Sequence, residues 1–156
     1  MLTEQAVAPD FESLDDQGQL IKLSDYRGRW VVLYFYPKAM TSGCTLQAQT
    51  LRDDHAKYQA LNAVVLGVSP DSVKRQAKFK QKEGLPFTLV ADEDHQVAEL
   101  YGVWKEKSMF GKTFKGNERT TFLIDPEGRI AKIFPKVDPS SHSDQVLDAL
   151  SVLQVT

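Results

Sequence analysis

The sequence predicts an α/β fold, a mixed central sheet with helices on both faces. Three observations carry this reading. Continuously apolar, β-branched runs alternate with stretches of helical periodicity through the first half of the chain. Two further strand-like runs joined by a tight turn follow, and a last helix closes the chain. The length, 156 residues, suits one unit with its own core, and no linker, repeat or low-complexity tract divides it. Residues 1–156 are therefore read as a single domain.

The elements run in this order. Ala8-Pro9-Asp10-Phe11 opens an extended segment, and Asp15-Asp16-Gln17-Gly18 is a turn between Phe11–Leu14 and Leu20–Leu23, a hairpin. Ser24 suits the cap of a short helical turn, which Arg27-Gly28-Arg29 breaks. Trp30 to Tyr36, WVVLYFY, reads as a strand buried on both faces. Pro37 ends it, and KAMTSG is a loop. From Cys44 the pattern turns helical, with Cys44, Ala48, Leu51, His55 and Tyr58 on one stripe and Asn62 closing the helix. Ala63–Ser69 is a second buried strand. Pro70-Asp71-Ser72 starts a helix to about Lys82, and Glu83-Gly84 ends it. Phe87–Ala91 is a third strand. Asp92 is placed to cap a helix from about Glu93 to Tyr101, with Gly102 as its stop. Thr120–Ile124 and Arg129–Phe134 are strands joined by the turn Asp125-Pro126-Glu127-Gly128. Ser143 or Asp144 caps a last helix to about Leu153. A strand, a cysteine helix, a strand, then a later hairpin and closing helix is the thioredoxin-like arrangement. The right-handed crossover sets the cysteine helix on one sheet face, its N-terminus at the carboxyl edge of strand 30–36.

Composition excludes several functions. Apolar residues are 42% and charged residues 26% of the chain, and the net charge is -2, with no long basic run to suggest a nucleic-acid surface. The longest apolar stretch is far too short to cross a membrane. The opening MLTEQAVAPDF lacks the basic and apolar regions of a secretory signal, so a cytoplasmic location is expected. A single cysteine, Cys44, rules out an internal disulfide and a multi-thiolate zinc site. None of the three histidines has metal-ligand spacing, so no metal or cofactor is expected. His55 reads as a packed or edge residue, and His95 and His142 as isolated surface residues.

By count alone, Cys44 reads as a small buried hydrophobe. Its neighbourhood argues otherwise. Thr41 or Ser42 suits an N-cap, which puts Cys44 in the first turn of its helix. There the free N–H groups and the helix dipole favour an anion, and a thiol becomes nucleophilic. Pro37, Thr41 and Cys44 form P-x-x-x-T-x-x-C. Pro37 can shield sulfur from water, or simply end a strand. The Thr41 hydroxyl can donate to sulfur or accept from a hydroperoxide, or simply cap a helix. Arg119 opens a strand expected beside strand 30–36, where a guanidinium stabilises a thiolate and binds peroxide oxygens. A surface salt bridge with Glu118 is the competing reading for Arg119. Trp104, Met109 and Phe110 read as packing residues, with pocket lining as the alternative.

The segment FYPKAMTSGCTLQAQTLRD, residues 35–53, resembles the active-site segment of peroxiredoxins of the bacterioferritin-comigratory-protein or PrxQ branch. The likeness continues in VLGVSPD (65–71), FTLVADEDHQVAELYGVW (87–104), KSMFGKTFKG (107–116) and RTTFLIDPEGRI (119–130). It implies a thioredoxin-like fold and reduction of hydrogen peroxide and organic hydroperoxides by a peroxidatic cysteine. By position that cysteine is Cys44, with Pro37, Thr41 and Arg119 around it. It also implies an external thiol reductant, thioredoxin or glutathione with glutaredoxin, and a monomer. The chain departs from relatives at Gln49, where many carry a resolving cysteine, and near Lys80, where others do. Ser42 stands where the branch usually has proline. The implied mechanism is therefore one-cysteine, with the sulfenic acid recycled by an outside thiol. A non-enzymatic redox sensor or holdase on the same fold is the competing function. A sensor reacts once and waits, whereas a peroxidase turns over.

Overall fold

The computed structural model describes residues 2–155. Seven strands form one sheet: β1 Glu12–Asp15, β2 Leu20–Lys22, β3 Trp30–Phe35, β4 Ala63–Ser69, β5 Thr88–Ala91, then β8 Thr120–Ile124 and β9 Ile130–Phe134. Their spatial order is β2-β1-β5-β4-β3-β8-β9. β3, β4 and β5 are parallel, and β1, β2, β8 and β9 extend the sheet antiparallel on either side. Two more strands, β6 Trp104–Met109 and β7 Lys112–Asn117, form a separate hairpin. The helices are α1 Ser42–Asp53, α2 His55–Ala60, α3 Val73–Glu83, α4 Gln96–Leu100 and α5 His142–Val155. None among the described residues is long and apolar enough to cross a membrane.

The central strand explains the layering. β3 is buried at every position after Trp30, and successive side chains point to opposite faces. Val32 and Tyr34 point to the face covered by α1, α2, α3 and α5, where Ala48, Leu51, Tyr58, Phe79, Val146 and Leu150 meet them. Val31, Leu33 and Phe35 point to the other face, where Val97 and Ala98 of α4 and Tyr101 just after it pack with Phe11. A continuously apolar strand between helices on both faces is the structural form of WVVLYFY.

Four elements differ from the sequence reading. The helix expected from Cys44 to Asn62 opens at Asp54, whose backbone leaves the helical region (φ -95°, ψ 10°). The Ser143 hydroxyl donates to the Asp54 carboxylate (2.6 Å), tying the break to α5. The helix expected from Glu93 begins at Gln96, because His95 is left-handed (φ 50°). Asp92 still caps it, accepting from the Val97 and Ala98 N–H groups at 3.0 and 2.9 Å. The last helix starts at His142, its first bond running from the Gln145 N–H to the Ser141 carbonyl (3.2 Å). Ser24 lies inside a 3-10 turn, Leu23–Tyr26, rather than ahead of it.

The β6–β7 hairpin was not anticipated. Its two-residue turn is Phe110-Gly111, both with positive φ (53° and 77°). That geometry suits the twist of a hairpin, but Phe in place of Asn or Asp hides the signal. Met109 and Phe110, expected to pack, instead stand at the apex, 57% and 95% exposed. Trp104 does pack, half-buried, stacked on the His95 ring at 4.2 Å. His95 is therefore not isolated, and it also meets Glu99 at 3.1 Å.

Candidate active site

The site forms where β3 ends and α1 begins. After Pro37, which is half-buried, the loop is clamped from α3 and the turn before it. The Ala39 N–H donates to Asp71 (2.7 Å), and Arg75 donates to the Ala39 carbonyl (3.0 Å) while pairing with Asp71 (2.9 Å). Met40 turns the chain with φ 65°, and the Thr41 hydroxyl donates to the Lys38 carbonyl at 2.8 Å. The first bond of α1 runs from the Thr45 N–H to the Thr41 carbonyl (2.9 Å). Residues 42–44 thus supply N–H groups that precede the helical ladder. Thr41 occupies the N-cap position, as expected, but its side chain makes no cap bond.

Cys44 sits in this first turn, 1% exposed, in the buried cluster that also holds Tyr34, Tyr36, Ala39, Ala48 and Leu51. Both rings are fully buried, and burial pushes both hydroxyls well up from the ordinary tyrosine range. Tyr36 donates to Gln76 (2.5 Å).

Arg119 arrives from the start of β8, which runs antiparallel beside β3 with Thr120 opposite Phe35. The expected adjacency of the two strands is thus present. Its guanidinium lies across the first turn of α1: Nη2 stands 2.8 Å from where a Cβ on Gly43 would sit. Nη1 donates to the Gln47 side-chain amide oxygen, Oε1, at 3.0 Å. No Arg119–Glu118 ion pair forms among the described residues. Pro37, Thr41, Cys44 and Arg119 are therefore gathered around one helix end.

Three contributors were missed by sequence reasoning. Gln47 is fully buried and orients Arg119. Its place one turn after Cys44 was readable, but its partner, 72 residues away, was not. His142 is the largest correction: expected at the surface, it is fully buried. Its Nδ1 lies 3.2 Å from Gln47 Nε2, and its Nε2 lies 2.6 Å from Thr121 Oγ1. Burial first, and the Arg119 charge second, push its pKa down to about 4. Lys107 is the third. Its stem lies over Gly116 and its ammonium donates to the Asn117 carbonyl (2.5 Å). Burial, then the Arg119 charge, hold it below the usual lysine range, with Cys44 and Glu118 acting in the opposite direction. His55 starts α2, beyond the Asp54 break and at the far end of α1 from the first turn that holds Cys44, so it is not placed to serve as a base.

A thioredoxin-like sheet with its one cysteine in the first helical turn after the central strand, a turn overlain by an arginine from the neighbouring strand, defines a class: the thiol peroxidases. Residues 5–133 match the AhpC/TSA family. The chain is 51% identical over 143 residues to the peroxiredoxin Bcp of Bacillus subtilis (strain 168), covering 92% of this chain and 91% of that one. It is 47% identical over 144 residues to the peroxiredoxin Bcp of Escherichia coli (strain K12), covering 92% of each. Among solved structures, Xanthomonas campestris peroxiredoxin Q superposes with a TM-score of 0.88 at 37% identity, over 95% of this chain and 98% of that one. Alkyl peroxide reduction is the activity described for the Xanthomonas bacterioferritin comigratory protein, which matches equally well. The chain belongs to the AhpC/TSA family, as a peroxiredoxin of the Bcp/PrxQ branch, and is a thiol peroxidase.

Proposed function

We propose that Cys44 is the peroxidatic residue of a one-cysteine hydroperoxide reductase, with Arg119, Thr41 and Pro37 as its working surroundings. The observation that carries this is the Arg119 guanidinium laid over Gly43, in the same helical turn as the chain's one cysteine. The Cys44 thiolate attacks the nearer oxygen of the hydroperoxide. An S–O bond forms and the O–O bond breaks; sulfur, oxidised by two electrons, keeps the transferred OH as the sulfenic acid, and the departing oxygen takes up the proton that the thiol gave up on ionising and leaves as water or an alcohol. Negative charge builds on that oxygen, where Arg119 and the free N–H groups of the first turn stabilise it. The Thr41 proton is committed to Lys38, so Thr41 serves the substrate as an acceptor. Pro37 offers no N–H and limits water at the sulfur. An outside thiol then displaces the sulfenic hydroxyl as water to give a mixed disulfide, and a second thiol releases Cys44. Thioredoxin, or glutathione with glutaredoxin, supplies these thiols, in the reducing cytoplasm where an unpaired reactive cysteine is maintained.

Intact mass tests the oxidation chemistry. Equimolar peroxide is expected to add one oxygen, and excess peroxide to drive Cys44 to the sulfinic acid. Peroxide consumption with no change in mass at Cys44 overturns the assignment. Consumption assays with thioredoxin, glutathione–glutaredoxin and dithiothreitol side by side then identify the reductant.

Position 49 gives a second test. Gln49 and Cys44 share the unbroken helix α1, and residues five apart there have Cα atoms about 8–9 Å from each other. A disulfide requires less than about 7 Å. The Gln49 side chain also donates to Glu83 (2.9 Å), which fastens this stretch to α3. Gln49→Cys is expected to form a disulfide with Cys44 on oxidation only by unwinding the first turns, which fray readily. Circular dichroism should show lost helix in the oxidised variant, and over-oxidation should decline. A disulfide with unchanged helix content contradicts the expectation.

A further inference from the structure

Arginine has only donors, so the Gln47 atom facing Arg119 must be its carbonyl oxygen. That choice turns the Gln47 NH2 towards His142 Nδ1, 3.2 Å away. An NH2 can only donate, so Nδ1 is the unprotonated, accepting nitrogen. The ring proton then sits on Nε2 and is donated to Thr121 Oγ1 (2.6 Å). Arg119 donates to Gln47, Gln47 to His142, and His142 to Thr121, in one chain with a single direction. Gln47, His142 and Thr121 are all fully buried, so no water can substitute for a missing partner without rearrangement.

We propose that His142 is a positioning residue for Arg119: by accepting from the Gln47 amide, it keeps the amide oxygen facing the guanidinium and the guanidinium seated over the first turn of α1. A reversed amide sets NH2 against guanidinium, donor against donor. Protonation of His142 at Nδ1 would force that reversal, and the buried ring beside Arg119 stays neutral. The closing helix α5, through its first residue, is thus part of the peroxide site. The inference rests on the reading of Arg119 given above, and its test separates the two.

The test is a pair of substitutions that divide the histidine. Asparagine can place an acceptor where Nδ1 was, while glutamine reaches the Nε2 position and leaves the Gln47 NH2 unpaired. The second-order rate constant for Cys44 oxidation is read by stopped flow. His142→Gln is expected to slow it about tenfold, the scale of one lost buried hydrogen bond. His142→Asn should stay within about twofold of the parent, because the amide keeps its acceptor. In an Arg119→Met background His142→Gln should change the rate less than about twofold, since coupled sites are not additive. Equal slowing by both substitutions, or undiminished slowing without Arg119, overturns the inference and leaves the role of Arg119 standing. An Arg119→Met enzyme at the parent rate overturns both. Nitrogen-15 shifts of His142 in the unaltered protein test the tautomer directly: a proton on Nδ1 overturns the inference even if a variant does not fold.

Discussion

Cys44→Ser is expected to abolish peroxide consumption while leaving the fold standing. No other cysteine is available to take over, and an alcohol oxygen stays protonated and is not oxidised by peroxide. The structural cost is small. Cys44 occupies an apolar cluster, so a serine hydroxyl there costs about 1–3 kcal/mol if unpaired, against typical domain stabilities of about 5–15 kcal/mol. The free N–H groups of the first turn can relieve part of that cost. A peroxide-consumption assay beside a thermal unfolding curve checks both halves. Turnover persisting in the folded variant removes Cys44 from the mechanism.

Arg119→Met is expected to slow Cys44 oxidation by about 10²-fold or more, the scale for removing one donor from a developing oxyanion. Methionine keeps a stem of similar reach over Gly43 and removes the charge and the bond to Gln47. The Gln47 oxygen is then left buried and unpaired, which costs about 1–3 kcal/mol of stability. The two losses separate by measurement: stopped-flow oxidation reports the first and denaturant unfolding the second. Arg119→Lys should fall between, because an ammonium restores charge but not the planar fork. An unchanged oxidation rate in Arg119→Met makes Arg119 a structural residue only.

How far the sequence reached follows from how local each signal is. Trp30–Phe35 is apolar throughout because both its faces are covered, and that pattern was readable without knowing what covers it. Thr41-Ser42-Gly43-Cys44 marks a helix start because the helix ladder begins within those four residues. The position of Arg119 beside β3 followed from strand pairing alone. Gln47 and His142 were not readable, because each is defined by a partner 72 to 95 residues away. A histidine among Ser140, Ser141, Ser143 and Asp144 reads as surface, and only the docking of α5 on α1 buries it. The Asp54 break depends in the same way on a hydroxyl from α5, and the β6–β7 hairpin on a turn without its usual residues.

With Cys44 as the reacting residue, its burial would make the site a sieve that sorts peroxide from reducing thiol by size. The residue is 1% exposed among apolar side chains, next to the glycine that the Arg119 guanidinium overlies. A hydroperoxide brings reacting oxygens scarcely larger than water, so it would need a smaller opening of the first turn than a protein thiol does. A reducing thiol must line up with the sulfur it attacks, and a protein thiol arrives with its whole surface attached. On that reading, oxidation would use the closed helix and reduction an opened one, so the two halves of the cycle would place opposite demands on the same turn. A stiffer first turn of α1 would then favour the peroxide and delay the thiol. With no partner cysteine to trap the open form, the duration of the oxidised state would be set by how often that turn opens when a reductant is at hand.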